Sequence, residues 1–124
     1  MNVVDSSGWI EFFTNGSNAG LFATPIRDTD HLIVPSICLY EVFKRVLLGL
    51  DEDEALQTIG QMSLGEIVDL DRNIAINAAR ISLEFKLAMA DSIILATARA
   101  NDATLWTLDE HFKGLEDVKY FGKK

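Results

Sequence analysis

The feature that most constrains the fold is a series of short, almost continuous apolar segments that alternate with longer helical ones. The strand-length segments are NVV at 2–4, HLIVP at 31–35, EIVDL at 66–70, ATLWTL at 103–108 and VKYF at 118–121. Continuously apolar strands are typical of sheets covered on both faces, and strands that alternate with helices form parallel sheets. We therefore predict an α/β fold with a parallel sheet between helices on both faces.

Capping residues set several of the expected helix boundaries. Ser6 and Ser7 are expected to cap a first helix that ends at the turn sequence NGSN, and Ser36 a helix that runs to about Leu50. Asp71 is expected to cap the helix in DRNIAINAARISLEFK. The period of that segment predicts one apolar face, formed by Ile74, Ala78, Ile81 and Phe85.

Three further helices are expected. A short helix from about residue 18 to residue 23 should stop before Pro25, because proline has no N–H and clashes with the preceding turn. The segment DEDEALQTIGQM begins with acids that suit a helix N-terminus. Its apolar residues near helical spacing are Leu56, Ile59 and Met62. DSIILATARAN predicts another helix, which is largely buried.

Length and charge limit the class of protein. The 124 residues are expected to form a single domain, residues 1–124, and 48% of them are hydrophobic, an ordinary share for a globular protein. The net charge of −8 argues against a nucleic-acid coat or a membrane-surface protein. It does not exclude an enzyme that handles a phosphodiester through metal ions.

The expected location is the cytoplasm. The single cysteine, Cys38, excludes an internal disulfide and is expected to be a small core residue, which fits a reducing compartment. No segment reaches the roughly 18 apolar residues of a membrane helix. Asp5 stands where a signal peptide would be positive, so no secretory leader is expected either.

Four acids stand out from their apolar surroundings. Asp5 and Asp109 follow predicted strands, whereas Glu41 and Asp91 lie within apolar helical segments. Sites in parallel α/β folds lie outside the carboxyl ends of the strands. A buried, unpaired carboxylate costs several kcal/mol, and few cations are available in these segments. Carboxylates that converge at this edge would suit Mg²⁺ or Mn²⁺, which prefer oxygen ligands.

Each acid taken alone also has an ordinary structural explanation. Asp109 could cap the turn that follows it. Glu41 has Lys44 and Arg45 three and four positions later, which would allow a surface ion pair. Asp91 could complement the dipole of its own helix. Only their convergence at one edge of the sheet favours a metal site over these explanations.

Three sequence segments occur in the order and at the spacing of a known family. They are VVDSSGWIEFF, VPSICLYEVFKRV and LAMADSIILATARANDATLWTLDEHF. With them, the chain resembles a PIN domain, and in particular the toxin subunit of a VapBC-type toxin–antitoxin pair, over essentially its whole length. The resemblance implies a three-layer α/β/α fold with a central parallel sheet of four to five strands. It also implies a metal-dependent endoribonuclease that cuts structured RNA by metal-activated water.

The resemblance also implies roles for the acids and for two hydroxyl groups beside them. Its catalytic and metal-binding positions correspond to Asp5, Glu41, Asp91 and Asp109. The three aspartates would hold one or two Mg²⁺ or Mn²⁺ ions, and Glu41 would bind the first ion or orient the attacking water. The two hydroxyl groups that would hydrogen-bond the carboxylates or a water are those of Ser6 and Thr107.

Nearby basic side chains and partners complete the expectations. Two roles stay open for Lys44, Arg45 and Arg99, namely contact with RNA phosphates or acids of a partner, and solvated charges that form local ion pairs. His111 lies two residues after Asp109, but a structural role is favoured for it. The resemblance implies a cognate VapB-like antitoxin that places a basic side chain in the acidic pocket. A homodimer or a hetero-oligomer with that antitoxin is expected, and no membrane.

Other classes of protein share parts of this pattern. A catalytically inactive PIN-like module that binds protein or RNA would keep the fold, although the four intact acids argue against it. A phosphoacceptor receiver domain needs an acidic pair after its first strand and a lysine after its last. Here serines follow Asp5, and Lys119 lies inside the last strand. A Rossmann domain needs Gly-x-Gly-x-x-Gly after its first strand, a motif this sequence lacks.

Overall fold

The computed structural model describes residues 1–122, within which five strands and six helices alternate. The strands are β1 (Asn2–Val4), β2 (Leu32–Pro35), β3 (Glu66–Val68), β4 (Thr104–Thr107) and β5 (Val118–Tyr120). The helices are α1 (Ser6–Phe13), α2 (Ala19–Arg27), α3 (Ser36–Leu47), α4 (Glu52–Met62), α5 (Arg72–Phe85) and α6 (Met89–Ala100). Short 3-10 turns lie at Thr29–His31 and Glu110–Phe112.

The five strands form one parallel sheet in the order β3-β2-β1-β4-β5. The central strand is β1, in which Val3 lies opposite Ile33 of β2 and Leu105 of β4. The chain moves to one side of β1 to form β2 and to the other side to form β4. The carboxyl ends of β1 and β4 therefore flank the switch point at which such folds place their sites. The predicted α/β fold, with a parallel sheet and flanking helices, is confirmed.

The core covers both faces of the sheet. Val3 and Val4 point to opposite faces, and both are fully buried. Ile33 and Val34 of the neighbouring strand are buried in the same way. Cys38 is fully buried, as predicted, and burial raises the pKa of its thiol, so this side chain acts as a core hydrophobe.

The first helix is capped by Asp5 and not, as predicted, by Ser6 or Ser7. Asp5 has an extended backbone, with φ −74° and ψ 173°, and its Oδ1 accepts the backbone N–H of Gly8 at 3.1 Å. The two serines are the first two residues of α1. The prediction was wrong because the cap position requires an extended backbone, and here the last extended residue is the aspartate that follows β1.

The bounds of α3 also differ from the prediction. Pro35 occupies the cap position and Ser36 is the first helical residue, with no side-chain cap. The helix ends at Leu47 and not near Leu50. Backbone N–H groups of residues 48 and 49 bond three residues back, so the last turn tightens and the helix stops.

The predicted stop before Pro25 is wrong, because α2 continues through this residue to Arg27. The proline removes one helical hydrogen bond. Its ring is buried together with Phe22 and Ile26, and this apolar burial compensates for the missing bond. The sequence pattern alone contains no sign of that long-range packing.

The two helices that follow α3 test the predicted apolar faces. Asp71 caps α5 through Ile74 N at 2.8 Å, and three of its four predicted face residues are buried, as expected. In α4, however, Leu56 is 50% exposed while Met62 is fully buried. Six residues correspond to an offset of about 240° around a helix, so these two side chains cannot share a face. The buried face of α4 consists of Ala55, Thr58 and Met62.

None of the helices within residues 1–122 is both long enough and apolar enough to cross a membrane.

Candidate metal centre

Asp5 lies at the carboxyl end of β1, beside the end of β4. Its backbone N–H continues the strand pairing by donating to the carbonyl of Trp106 at 3.1 Å. The residue is 3% exposed. Its Oδ1 accepts hydrogen bonds from Ser7 Oγ at 2.6 Å and from Gly8 N at 3.1 Å. Its Oδ2 accepts one from Thr107 Oγ1 at 2.7 Å, so the carboxylate is fixed in place.

Burial raises the pKa of Asp5 from an ordinary 3.8 to about 6. The hydrogen bonds from Ser7, Thr107 and Gly8 lower this pKa because they stabilise the carboxylate. The negative charge of Asp109 raises it further. At neutral pH the site therefore carries a buried negative charge that a nearby cation would stabilise.

Two hydroxyl groups connect the end of β1 with the end of β4. Thr107 Oγ1 donates to Asp5 Oδ2 and accepts the backbone N–H of Asp109 at 2.8 Å. Ser7 Oγ donates to Asp5 Oδ1 and accepts the backbone N–H of Leu108 at 3.3 Å. Thr107 was predicted from the sequence to hydrogen-bond an acid of the site, whereas Ser7 was not. Only the helical turn after Asp5 shows that the Ser7 hydroxyl points toward the Asp5 carboxylate.

Glu41 enters the site from the second turn of α3. Its Oε1 accepts a hydrogen bond from Ser6 Oγ at 2.6 Å. The ion pair between Glu41 and Lys44 or Arg45, which the sequence would allow, does not form within residues 1–122. Instead, Lys44 Nζ lies 3.5 Å from the hydroxyl of Tyr40 and 5.6 Å from the centre of its ring. Glu41 is therefore held by a hydroxyl from α1 and remains available to the site.

Asp91 is half-buried in the first turn of α6. Burial raises its pKa from 3.8 to about 6, and the negative charges of Asp109 and Glu41 raise it further. His111 acts in the opposite direction. Each of the four predicted acids thus either raises the pKa of another one or has its own pKa raised by another one. The structure brings all four together at one edge of the sheet.

Asp109 and His111 form the outer side of this cluster. Asp109 Oδ1 accepts the backbone N–H of His111 at 2.9 Å and lies 3.0 Å from its Nδ1. One potential ligand atom from each of Asp91, Asp109 and His111 lies within 4.8 Å of the other two. A structural role was favoured for this histidine, and its spacing of two residues from Asp109 was the only signal in the sequence.

The donor set fits a divalent cation. Carboxylate oxygens predominate, which suits Mg²⁺ or Mn²⁺, and an imidazole nitrogen is compatible with the latter. Mutual repulsion and burial raise the pKa of both Asp5 and Asp91, and a divalent charge would relieve both effects. The residues that would hold such ions are Asp5, Glu41, Asp91 and Asp109, with His111 at the margin.

A groove of about 800 Å³ borders the cluster and is called here the acidic groove. Its lining contains three acids but only one lysine or arginine, which is Arg45. This arginine is exposed and forms no ion pair with an acid anywhere in the described chain. The full lining is Ser7, Ile10, Glu11, Arg45, Leu108, Asp109, Glu110, His111 and Tyr120.

The other two basic side chains selected from the sequence lie differently. Arg99 is eight residues beyond Asp91 on α6, which is a rise of about 12 Å along the helix. Its guanidinium stacks on Phe85 at 5.3 Å from the ring centre. Lys44 is exposed and stacks on Tyr40. Of the three basic residues, Arg45 is the one that lines a groove beside the acids.

A second groove, about 490 Å³ in volume, shares Ile10 and Arg45 with the acidic groove and is called here the apolar groove. It runs between the ends of α1 and α3 and the side of α4. Its lining is Ile10, Phe13, Thr14, Arg45, Val46, Leu48, Gly49, Leu50 and Thr58. Leu48 is 82% exposed, so this region presents apolar surface to solvent.

Comparison with known proteins gives a family match and a set of similar structures. The PIN domain family matches residues 3–118. A toxin–antitoxin complex from Klebsiella pneumoniae contains a chain with a TM-score of 0.84 and 22% identity, over 98% of this chain and 99% of that one. VapBC2 from Rickettsia felis, bound to a DNA fragment from its promoter, gives a TM-score of 0.74 and 16% identity, over 98% and 97%.

A third similar structure is VapBC-5 from Mycobacterium tuberculosis. It gives a TM-score of 0.62 and 19% identity, over 98% of this chain and 97% of that one. No curated protein sequence matches the chain. At these identities the similar structures establish the fold, which agrees with the family match.

Proposed function

The chain belongs to the PIN domain family, and on that premise we propose that it is a metal-dependent endoribonuclease and the toxin of a type II toxin–antitoxin pair. The observation that carries the proposal is the meeting of four carboxylates at the carboxyl ends of β1 and β4. They come from four separate elements, and the site contains no lysine or arginine that would neutralise them in the described chain. Such a constellation suits divalent cations better than a structural role.

The geometry supports distinct roles for the acids. A carboxylate oxygen offers about two lone pairs. Both donors to Oδ1 of Asp5 come from α1. Oδ2 has a single donor among residues 1–122, Thr107, and would keep a lone pair for a cation. Asp91 and Asp109 would provide the outer ligands. Ser6 fixes Oε1 of Glu41 by donating a hydrogen bond to it. Oε2 would then accept a hydrogen bond from the attacking water and so orient that water.

Divalent ions bound to these acids would lower the pKa of water and neutralise charge on the reacting phosphate. The protein itself then has to position three groups, namely the water, the phosphate and the leaving oxygen. Glu41 would position the water, and no side-chain nucleophile is needed. Arg45, in the acidic groove, is suited to hold a flanking phosphate.

RNA is the proposed substrate, and its structured form is favoured by the family resemblance. The acidic groove repels a polyanion until cations are bound. Two divalent ions would change the formal net charge from −8 to about −4 and would neutralise the four carboxylates of the site itself. Substrate binding should therefore depend on the metal as strongly as the chemical step does.

The proposed partner is a VapB-like antitoxin in a hetero-oligomer in which the toxin subunits pair. The apolar groove supports this proposal because it offers uncovered apolar surface directly beside the acids. A segment lying in that groove would reach the acidic cluster past Arg45. A basic side chain carried by it would be attracted to the four carboxylates. Several similar structures are themselves toxin–antitoxin complexes.

The decisive test is the cleavage of a labelled structured RNA by purified protein, with Mn²⁺ or Mg²⁺ and with EDTA. Wild type should cut only with metal, and Asp91→Asn should lose the activity. Asp28→Asn is the matched control, because Asp28 is an exposed acid beside a histidine that lies outside the cluster. Cutting by Asp91→Asn at the wild-type rate would refute the assignment of the site.

A binding module without catalysis is the second candidate, and the excess of acids in the acidic groove favours it. Such a module would bind a basic protein segment with or without metal. This second candidate would be favoured over the nuclease if the protein binds Mn²⁺ and its partner but leaves a wide panel of structured RNAs intact.

A further inference from the structure

We propose that His111 supplies a nitrogen ligand to the cation held by Asp91 and Asp109, and that this nitrogen biases the site toward Mn²⁺ over Mg²⁺. The inference rests on the proposed metal dependence but not on RNA cleavage. It adds a residue to the four acids and gives a reason for one metal to be preferred.

The distances within the outer side of the cluster support this role. Ligand atoms of Asp91, Asp109 and His111 lie within 4.8 Å of one another. Nδ1 of the histidine is 3.0 Å from Oδ1 of Asp109. Adjacent ligands of an octahedral ion with bonds of about 2.1 Å are separated by about 3.0 Å. The observed separation is one that two neighbouring ligands of one ion would have, and it is also the length of a hydrogen bond between the two groups.

The backbone holds this histidine in position. Asp109 caps the 3-10 turn Glu110–Phe112 by accepting the N–H of His111 at 2.9 Å. The next residue, Phe112, is fully buried and anchors the turn in the core. The turn thus fixes the Cα of His111 near the acids. The side chain of this histidine is 73% exposed and faces the acidic groove. Moving the ring toward an ion would require little desolvation or rearrangement.

The chemistry of the ligand gives the metal preference. Mg²⁺ prefers oxygen ligands and retains its waters, whereas imidazole suits transition metals. Replacing one water by a nitrogen should strengthen Mn²⁺ binding more than Mg²⁺ binding. An all-carboxylate site would discriminate less between the two ions.

A second histidine in the chain provides an internal control. His31 Nδ1 lies 2.9 Å from Oδ1 of Asp28, which is nearly the same local pair. That pair precedes β2 at the amino end of the strand, with both side chains more than half exposed and no further acid grouped with it. Any effect of a histidine–aspartate hydrogen bond alone should appear equally at both positions.

The experiment is pulsed electron paramagnetic resonance of bound Mn²⁺, combined with Mn²⁺ and Mg²⁺ titrations, for wild type, His111→Ala and His31→Ala without RNA. We expect ¹⁴N modulation from a coordinated imidazole in wild type and in His31→Ala but not in His111→Ala. We also expect His111→Ala to lose about tenfold in Mn²⁺ affinity, and clearly less in Mg²⁺ affinity. Circular dichroism verifies that each variant is folded.

The proposal is overturned if wild type with bound Mn²⁺ shows no nitrogen modulation. It is also overturned if His111→Ala weakens Mn²⁺ and Mg²⁺ binding by the same factor, because the histidine would then only position Asp109. These outcomes are independent of cleavage. A protein with a nitrogen ligand that cuts no RNA would contradict the proposed function alone, and one that cuts RNA without a nitrogen ligand would contradict this inference alone.

Discussion

The two sides of the acidic cluster differ in hydrogen bonding, although burial raises the pKa of an aspartate on each side to about 6. On the inner side, Asp5 is nearly fully buried and accepts three hydrogen bonds, yet its pKa is raised to about 6 because burial outweighs them. On the outer side, Asp91 is half-buried and accepts no hydrogen bond from the described residues, and burial with neighbouring acids raises its pKa to about 6. The inner carboxylate therefore also stabilises the fold, whereas the outer one has no such hydrogen bond to lose.

The largest difference between the two sides should appear in stability. Asp5→Ala removes a helix cap and leaves the donors Ser7, Gly8 and Thr107 without their acceptor, so we expect a loss of about 2–4 kcal/mol in the free energy of unfolding. Asp91→Ala breaks no such bond and should change stability by less than about 1 kcal/mol. Urea denaturation at pH 7.5 without metal measures both. Equal losses would remove the distinction between the sides.

Metal binding should add a second difference in stability, which depends on Asp91. Mn²⁺ at a hundredfold excess over its Kd should stabilise wild type by about 2.7 kcal/mol, and this gain should disappear in Asp91→Asn. Asp28→Asn, which changes an acid outside the cluster, should keep it. Thermal unfolding with and without Mn²⁺ provides the measurement. A full metal response in Asp91→Asn would place the ion somewhere else.

The smallest effect concerns pH in the absence of metal. The pKa values of Asp5 and Asp91 rise on folding from 3.8 to about 6, so the folded protein binds more protons than the unfolded one between about pH 4 and 6. Their contribution to stability is then fully present below pH 4 and is lost as the pH rises through 6.

Wild type should accordingly gain up to about 1 kcal/mol relative to Asp91→Asn when the pH falls from 7.5 to 5, because solvent partly screens this half-buried carboxylate. The comparison with this variant isolates the proton uptake that depends on the Asp91 carboxylate, including its effect on the neighbouring acids. Chemical denaturation at the two pH values tests it, and Mn²⁺ should abolish the difference. A difference of opposite sign would mean that the pKa of Asp91 is lowered on folding.

Local rules predicted much of the fold. Asp71 caps α5, and this helix buries one face. Both features could be predicted because a capping residue and a 3.6-residue period can be recognised within one short segment of sequence. The continuation of α2 through Pro25 depends on burial against distant elements, which no local pattern contains. The end of β1 at Val4 was predicted, but the cap was assigned to the serines, because the sequence does not show that the helix begins directly after Asp5.

The candidate site was predictable to a different extent. Strand order brings Asp5 and Asp109 to one edge, and apolar surroundings point to Glu41 and Asp91, so their convergence could be expected. The described residues show no ion pair of Glu41 with Lys44 or Arg45, and its Oε1 instead accepts a hydrogen bond from Ser6, 35 positions away in sequence. The approach of His111 depends on the geometry of a 3-10 turn, which spacing alone does not define.

The most direct test of the central claim is a crystal of the protein soaked in Mn²⁺ and measured at the manganese absorption edge. The account predicts an anomalous peak among Asp91, Asp109 and Oδ2 of Asp5, with that peak absent from crystals of Asp91→Asn. A wild-type map with no peak at this edge of the sheet, at a Mn²⁺ concentration that supports RNA cleavage, would contradict it.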